Sequence, residues 1–177
     1  MHTYRSGINN NRIWLGNNLP NGFIQILDDD LNLQFVLDFI DIDKIEKFAF
    51  SDDFTFAIAL YNNQYVIMQY SNDDSPYYLN LLNNFPLSIN IIYDLHIKDN
   101  KIYLATDQGL LHADLISSDL LILSSSWNIE YQNQEIFQII EDDNQLQYVI
   151  YDDGYCISGS MLCTNQIDNI ISGFYVL

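Results

Sequence analysis

The sequence predicts an all-β chain built from small repeated sheets, and three observations carry that expectation. Short apolar segments, Trp14-Leu15-Gly16, Ile58-Ala59-Leu60, Tyr103-Leu104-Ala105 and Tyr148-Val149-Ile150, recur at spacings of 44, 45 and 45 residues. Apolar or alternating runs are broken throughout by Asn, Asp and Gly clusters, residues that tolerate left-handed backbone and so make turns. No window carries a capped i, i+3, i+4, i+7 apolar stripe, although Leu33 to Phe50 leaves room for a helical turn or two. A period near 45 with several strands per unit is the pattern of β-propeller blades. The expected fold is therefore about four antiparallel sheets in one domain, a β-propeller or a propeller-like arrangement. An irregular β-sandwich or barrel is the alternative.

The approximate units are 1–43, 44–88, 89–130 and 131–177. In the first, the strand Arg12 to Asn18 follows the turn Asn9-Asn10-Asn11, with Gly22-Phe23 as a later turn and Asp28-Asp29-Asp30 as another. The second is bounded by Ser51-Asp52-Asp53 and places Asn62-Asn63-Gln64 where a turn glycine would stand. The third is the best formed. Strands are expected over Ile92 to Ile97, Lys101 to Thr106, Leu110 to Leu115 and Leu120 to Ser124, with turns at Asp99-Asn100 and Asp107-Gln108-Gly109. The fourth keeps Tyr148 to Tyr155 and ends in Cys156-Ile-Ser-Gly-Ser-Met-Leu-Cys163, a hairpin turning at Gly159-Ser160. In that register Cys156 faces Cys163 at a Cα separation of roughly 4.5–5.5 Å, within disulfide range. A cytosolic home favours the reduced thiols instead.

The stretch Lys101-Ile-Tyr-Leu-Ala-Thr-Asp-Gln-Gly-Leu-Leu-His-Ala-Asp114 resembles the blade motif of two-component-regulator-type sensor propellers. Such blades read as an aromatic-bearing strand, a small residue with Thr, a polar turn with Gly, then Leu. The resemblance is good over residues 90–124 and loose elsewhere. It implies blade architecture and a sensor or scaffold role. Such a protein would bind a small ligand or peptide at a central face, and would form a homo-oligomer if the chain is half of a larger ring.

Composition narrows the partner class. The formal net charge is −18, from 24 acidic and six basic residues. Every Lys and Arg lies at or before Lys101, leaving eleven carboxylates and no Lys or Arg in residues 102–177. That field repels nucleic acid and anionic lipid and speeds encounter with basic proteins. The acid excess also serves to keep an aromatic-rich β-protein soluble. No apolar stretch is long enough to span a membrane, and the N-terminus has no signal-type apolar region, so a cytoplasmic location is expected.

Catalytic signatures are missing: there is no Gly-x-Ser-x-Gly, phosphate-binding loop, His-Glu-x-x-His or dinucleotide fingerprint. His2, His96 and His112 are scattered, and neither Asp28-Asp29-Asp30 nor Glu141-Asp142-Asp143 has calcium-loop spacing, so no metal or cofactor is expected. Thirteen Tyr, including Tyr77 and Tyr78 beside Pro76, supply candidate interface anchors. The expected function is a non-enzymatic acidic module that binds a basic protein. In its sharpest form it is an inhibitor or immunity protein masking a nuclease toxin. The candidate contacts are Asp107, Asp114, Glu141, Asp142, Asp143, Asp152, Asp153, Tyr77 and Tyr78.

Overall fold

Asn- and Asp-rich turns cut the chain into short strands, and each strand pairs with its neighbour in sequence. The computed structural model describes residues 4–9, 11–17, 23–38, 42–142, 145–150, 154–157 and 163–164. The first sheet contains β1 (Tyr4–Asn9), β2 (Arg12–Asn17), β3 (Phe23–Leu27) and β4 (Leu33–Asp38). The second contains β5 (Ile42–Phe50), β6 (Phe54–Tyr61), β7 (Gln64–Ser71) and β8 (Tyr78–Leu82). The third contains β9 (Ile92–Lys98), β10 (Lys101–Thr106), β11 (Gly109–Asp114) and β12 (Asn128–Glu130). The fourth contains β13 (Ile136–Asp142), β14 (Gln145–Ile150), β15 (Gly154–Ile157) and β16 (Cys163–Thr164). All four are antiparallel meanders in sequence order.

The first strands of consecutive sheets, β1, β5, β9 and β13, contact one another in turn, and the second strand of each sheet leans on the first strand of the next. This is a propeller-like arrangement of four blades. The turn chemistry follows the residues. Asn62 and Asn63 both have positive φ (47° and 60°), as do Asp99 and Asn100 (48° and 58°), and each pair forms the two-residue turn that matches strand twist. At Asn62-Asn63 the turn needs no glycine, because Asn tolerates the left-handed region.

Two expectations are corrected. Leu33 to Phe50 holds no helical turn: β4 and β5 occupy its described residues, and β5 carries β-bulges near Lys44 and Lys47. The fourth strand of the third blade is Asn128–Glu130 rather than Leu120 to Ser124. Between β11 and β12 the chain forms two short 3₁₀ helices, Leu115–Leu120 and Ser124–Ser126. The cause is an anchor: Trp127 is buried, stacks edge-on against Phe85 at 5.1 Å, and donates its indole N–H to the Leu121 carbonyl at 2.9 Å. In the fourth blade Cys156 lies directly opposite Cys163 in the β15–β16 register. The turn at Gly159-Ser160 lies outside the described residues.

The core sits between blades. Trp14, Ile24, Ile45, Phe48, Ala57, Met68 and Tyr70 fill the seam between the first two, and Phe56, Ile58, Ile67, Leu95, Leu104 and Leu111 the next. Ala105, Leu110, Ile136, Ile139, Leu146 and Tyr148 close the third seam. The second blade is covered on both faces. That is why β6 and β7 read as nearly unbroken apolar runs, while β3, covered on one, alternates. Close approach at the first seam depends on Gly16, where an added Cβ would sit 2.6 Å from Ile45 Cγ2.

Candidate functional site

In each blade the turns joining first to second and third to fourth strands share one end of the sheet. Cross-blade hydrogen bonds align these ends: Asn9 Nδ2 donates to the Ser51 carbonyl at 3.2 Å, and Lys98 Nζ to Glu141 at 2.9 Å. Asp28, Asp29, Asp30, Asp52, Asp53, Asp73, Asp74, Asp99, Asp114, Glu141 and Asp142 all fall on this end by topology. Its bases are engaged. Arg12 donates to the Asp73 and Asp74 carbonyls at 2.7 and 2.8 Å and lies over the Phe35 ring. Lys98 pairs with Glu141, and Lys101 stands 3.9 Å from Asp114. By contrast, the carboxylates of Asp29, Asp30, Asp52, Asp53 and Asp99 are exposed and make no ion pair or hydrogen bond among the described residues.

Between the second and third blades this end opens into a cleft of about 380 Å³. Phe54, Ile97 and Leu115 give it apolar walls; Asp52, Asp53, Asp99 and Lys98 give it charge. The β5–β6 turn is rigid: Ser51 Oγ accepts from Phe54 N, and Asn72 Nδ2 donates to the Ser51 carbonyl at 2.9 Å. The cleft is a fixed, partly apolar recess with an anionic lip, suited to an ammonium or guanidinium group on an aliphatic stem.

The residues singled out from sequence do not form one patch. Asp107 is on the opposite end, in the β10–β11 turn, and serves the fold. Its Oδ1 accepts from the amides of Asn90 and Ile91 at 3.1 and 3.2 Å, and its Oδ2 from Asn90 Nδ2 at 2.8 Å. Burial pushes its carboxyl up, but the hydrogen bonds from Asn90, Gln108 and Ile91 outweigh that and hold it below the usual range. Glu141 is held below its usual range by hydrogen bonding to Lys98, with His96 Nε2 at 3.2 Å also beside it. Asp114 is exposed at the end of β11. Asp142 closes β13; Asp143, Asp152 and Asp153 lie outside the described residues. Tyr77 and Tyr78 are exposed on the rim, with Tyr78 edge-on to the buried Tyr70. His96 and His112 face Glu141 and Glu130, and no group of three metal-ligating side chains occurs among the described residues.

Sequence reasoning missed Asp94. This carboxylate is 4% exposed on β9 and joins three blades: it pairs with Lys47 on β5 and accepts from the Ile139 amide on β13 at 2.9 Å. The available signal was a lone acid inside the apolar strand Ile92–Lys98. Nearby, Tyr93 stacks on Phe137 at 4.6 Å and donates its hydroxyl to Glu135.

Burial, then the Glu135 hydrogen bond, pushes the Tyr93 phenol from 10.0 up to about 12. Its folded pKa is raised, so its contribution to stability is complete below pH 10 and is lost as pH rises through about 12. Denaturant melts across this range are expected to show a decline that Tyr93→Phe makes shallower, the remainder coming from Tyr65, Tyr70, Tyr78, Tyr103 and Tyr131, whose phenols burial also raises. An unchanged decline in that variant would mean Tyr93 is not among the groups responsible.

No family model matches this chain, and no curated protein does. Among solved structures it is similar to PorZ of Porphyromonas gingivalis, described as an essential bacterial surface component of the type-IX secretion system. The TM-score is 0.65 at 11% identity, over 91% of this chain and 28% of that one. It is similar to the computationally designed Ika4 protein (TM-score 0.62, 12% identity, 88% of this chain and 89% of that one). It also matches the designed Ika8 protein (0.59, 12% identity), over 86% of this chain and 44% of that one. The chain thus spans nearly all of one neighbour and less than half of the other two. At these identities the likeness is one of fold. Among the described residues no helix is long and apolar enough to cross a membrane.

Proposed function

We propose that this chain is a non-enzymatic protein-binding module, an inhibitor or immunity protein that covers a basic surface of its partner, such as the nucleic-acid groove of a nuclease toxin. The observation that carries this reading is the end face just described. Asp52, Asp53 and Asp99 stand there unpaired beside a cleft with apolar walls, Asp29 and Asp30 are unpaired at the same end of the first blade, and the bases Arg12 and Lys98 are engaged by partners of their own. Carboxylates spaced along turns at the ends of stiff sheets substitute for phosphates at low reorganisation cost, and inhibition is by occlusion. The face lies mainly on the first three blades rather than in the acid-only half after Lys101.

Such a partner is steered by charge. Its association rate is expected to fall by about tenfold or more as salt is raised from low ionic strength to roughly 0.5 M, with a smaller change in dissociation rate. Stopped-flow mixing with the basic protein retained from lysate at low salt and released at high salt reads this directly. An association rate indifferent to salt overturns the reading.

A second reading follows from the blade motif in the third sheet and the similarity to parts of larger structures. In it the chain is a two-component-regulator-type sensor or scaffold propeller, or half of one, that binds a small ligand or peptide. Sedimentation separates the two: the half-ring predicts a stable pair of copies.

A further inference from the structure

The connection between β11 and β12 displays apolar side chains that the fold covers only in part. Ile116, Leu120, Ile122 and Leu123 are 84%, 50%, 43% and 44% exposed within eight residues of one another. The segment is nonetheless fixed. The Leu115 amide donates to the Asn100 carbonyl at 2.9 Å, Ser126 Oγ to the Leu120 carbonyl at 2.8 Å, and the Trp127 indole to Leu121. Leu121 and Trp127 are buried beneath it as anchors. A rigid loop that holds bulky aliphatic groups in water has its ordering cost already met before anything docks.

Its position gives it a neighbour. Leu115 is a wall of the acidic cleft, and Ile116, the most exposed apolar residue, is next in the chain. Asp119, also exposed, sits within the loop. An apolar ridge therefore begins where the recess lined by Asp52, Asp53 and Asp99 ends. The charge decides the occupant. A second copy would bring its own net −18 to this face, and anionic lipid or nucleic acid would be repelled as well.

We propose that ridge and cleft form one docking surface for a basic amphipathic segment of the partner. Its aliphatic side chains pack on Ile116, Leu120 and Leu123, and a Lys or Arg enters among Asp52, Asp53 and Asp99. This rests on the basic-partner reading above and adds where and how the partner is held. The apolar ridge supplies slow dissociation; the carboxylates supply orientation.

Calorimetric titration of the full chain with three short synthetic peptides tests it: an amphipathic Leu/Lys peptide, a Ser/Lys peptide of equal charge and a Leu/Glu peptide. The Leu/Lys peptide is expected to bind at least about tenfold tighter than the Ser/Lys peptide, and the Leu/Glu peptide not at all. Ile116→Ser with Leu120→Ser should remove that advantage. Asp52→Asn, Asp53→Asn and Asp99→Asn together should weaken both Lys peptides, whereas Asp43→Asn, an exposed acid near the start of β5 at the opposite end of that blade, should leave both affinities unchanged. All these side chains are exposed, and a thermal melt of each variant verifies folding. Equal binding of the Leu/Lys and Ser/Lys peptides, or a preference that survives the serine substitutions, overturns the docking surface while leaving the basic-partner reading intact. Failure to bind either Lys peptide overturns both.

Discussion

Replacing Asp94 with alanine is expected to destabilise the fold by about 2–4 kcal/mol. Its carboxylate is 4% exposed and its three partners come from β5, β9 itself and β13: Lys47, the Leu95 amide at 2.8 Å and the Ile139 amide at 2.9 Å. Removing it leaves the Ile139 amide, on a residue only 4% exposed, without an acceptor, and an orphaned buried donor costs about 1–3 kcal/mol. Lys47 loses its counter-charge, but its side chain is 42% exposed and turns to water, which moderates the loss relative to a fully buried pair. Asp94→Asn keeps an oxygen for the Ile139 amide and should recover about half of the deficit. Urea melts would show the midpoint fall with little change in slope. An alanine variant within about 0.5 kcal/mol of the parent would mean that the three-blade link is not energetically important.

Trp14→Ala is expected to cost about 3–5 kcal/mol, the range for removing a fully buried aromatic side chain. Trp14 is 1% exposed and reaches Tyr70 at 5.8 Å, Phe48 at 6.2 Å and Phe50 at 6.3 Å between ring centroids. It closes the seam between the first two blades, so near-ultraviolet dichroism from this aromatic cluster should collapse with it. Trp127, on the seam between second and third blades, should keep its own fluorescence signature if the loss is local. A melting curve unchanged by the substitution would contradict the packing.

The strands were legible because their ends are written in residues with a physical preference for turns. Asn62-Asn63 and Asp99-Asn100 adopt the left-handed backbone that their side chains tolerate, and the strands on either side follow. The run Leu120 to Ser124 was not legible, since its composition suits a strand and only the distant anchoring of Trp127 on Phe85 makes it a turn. The polar β12, Asn128–Glu130, pairs with β11 in its place because tertiary position outweighs local propensity.

Site residues were harder to read than strands, because a carboxylate's availability depends on partners a full blade away. Lys47 and Asp94 are 47 residues apart, Lys98 and Glu141 are 43, His96 and Glu141 are 45, and Tyr93 and Glu135 are 42. These separations are close to the repeat period itself. The spacing that announced the fold also says which side chains meet across a seam, and adding one period to Lys98 reaches the segment of Glu141. Counting charge along the chain instead placed the binding acids after Lys101, where Glu141 is already occupied. In sequence, the exposed, unpartnered Asp52, Asp53 and Asp99 carry the signature of turn residues, which they also are.

Blades in sequential stacks are often treated as interchangeable modules, each answerable only to its neighbours. The reach of Asp94 denies that modularity here. A chain cut after the third blade would keep the carboxylate but lose the Ile139 amide that satisfies its second oxygen, while grafting the third blade elsewhere would strip away Lys47 as well. Any recombination of these repeats has to carry the second, third and fourth blades together, or rewrite position 94 as an apolar residue first.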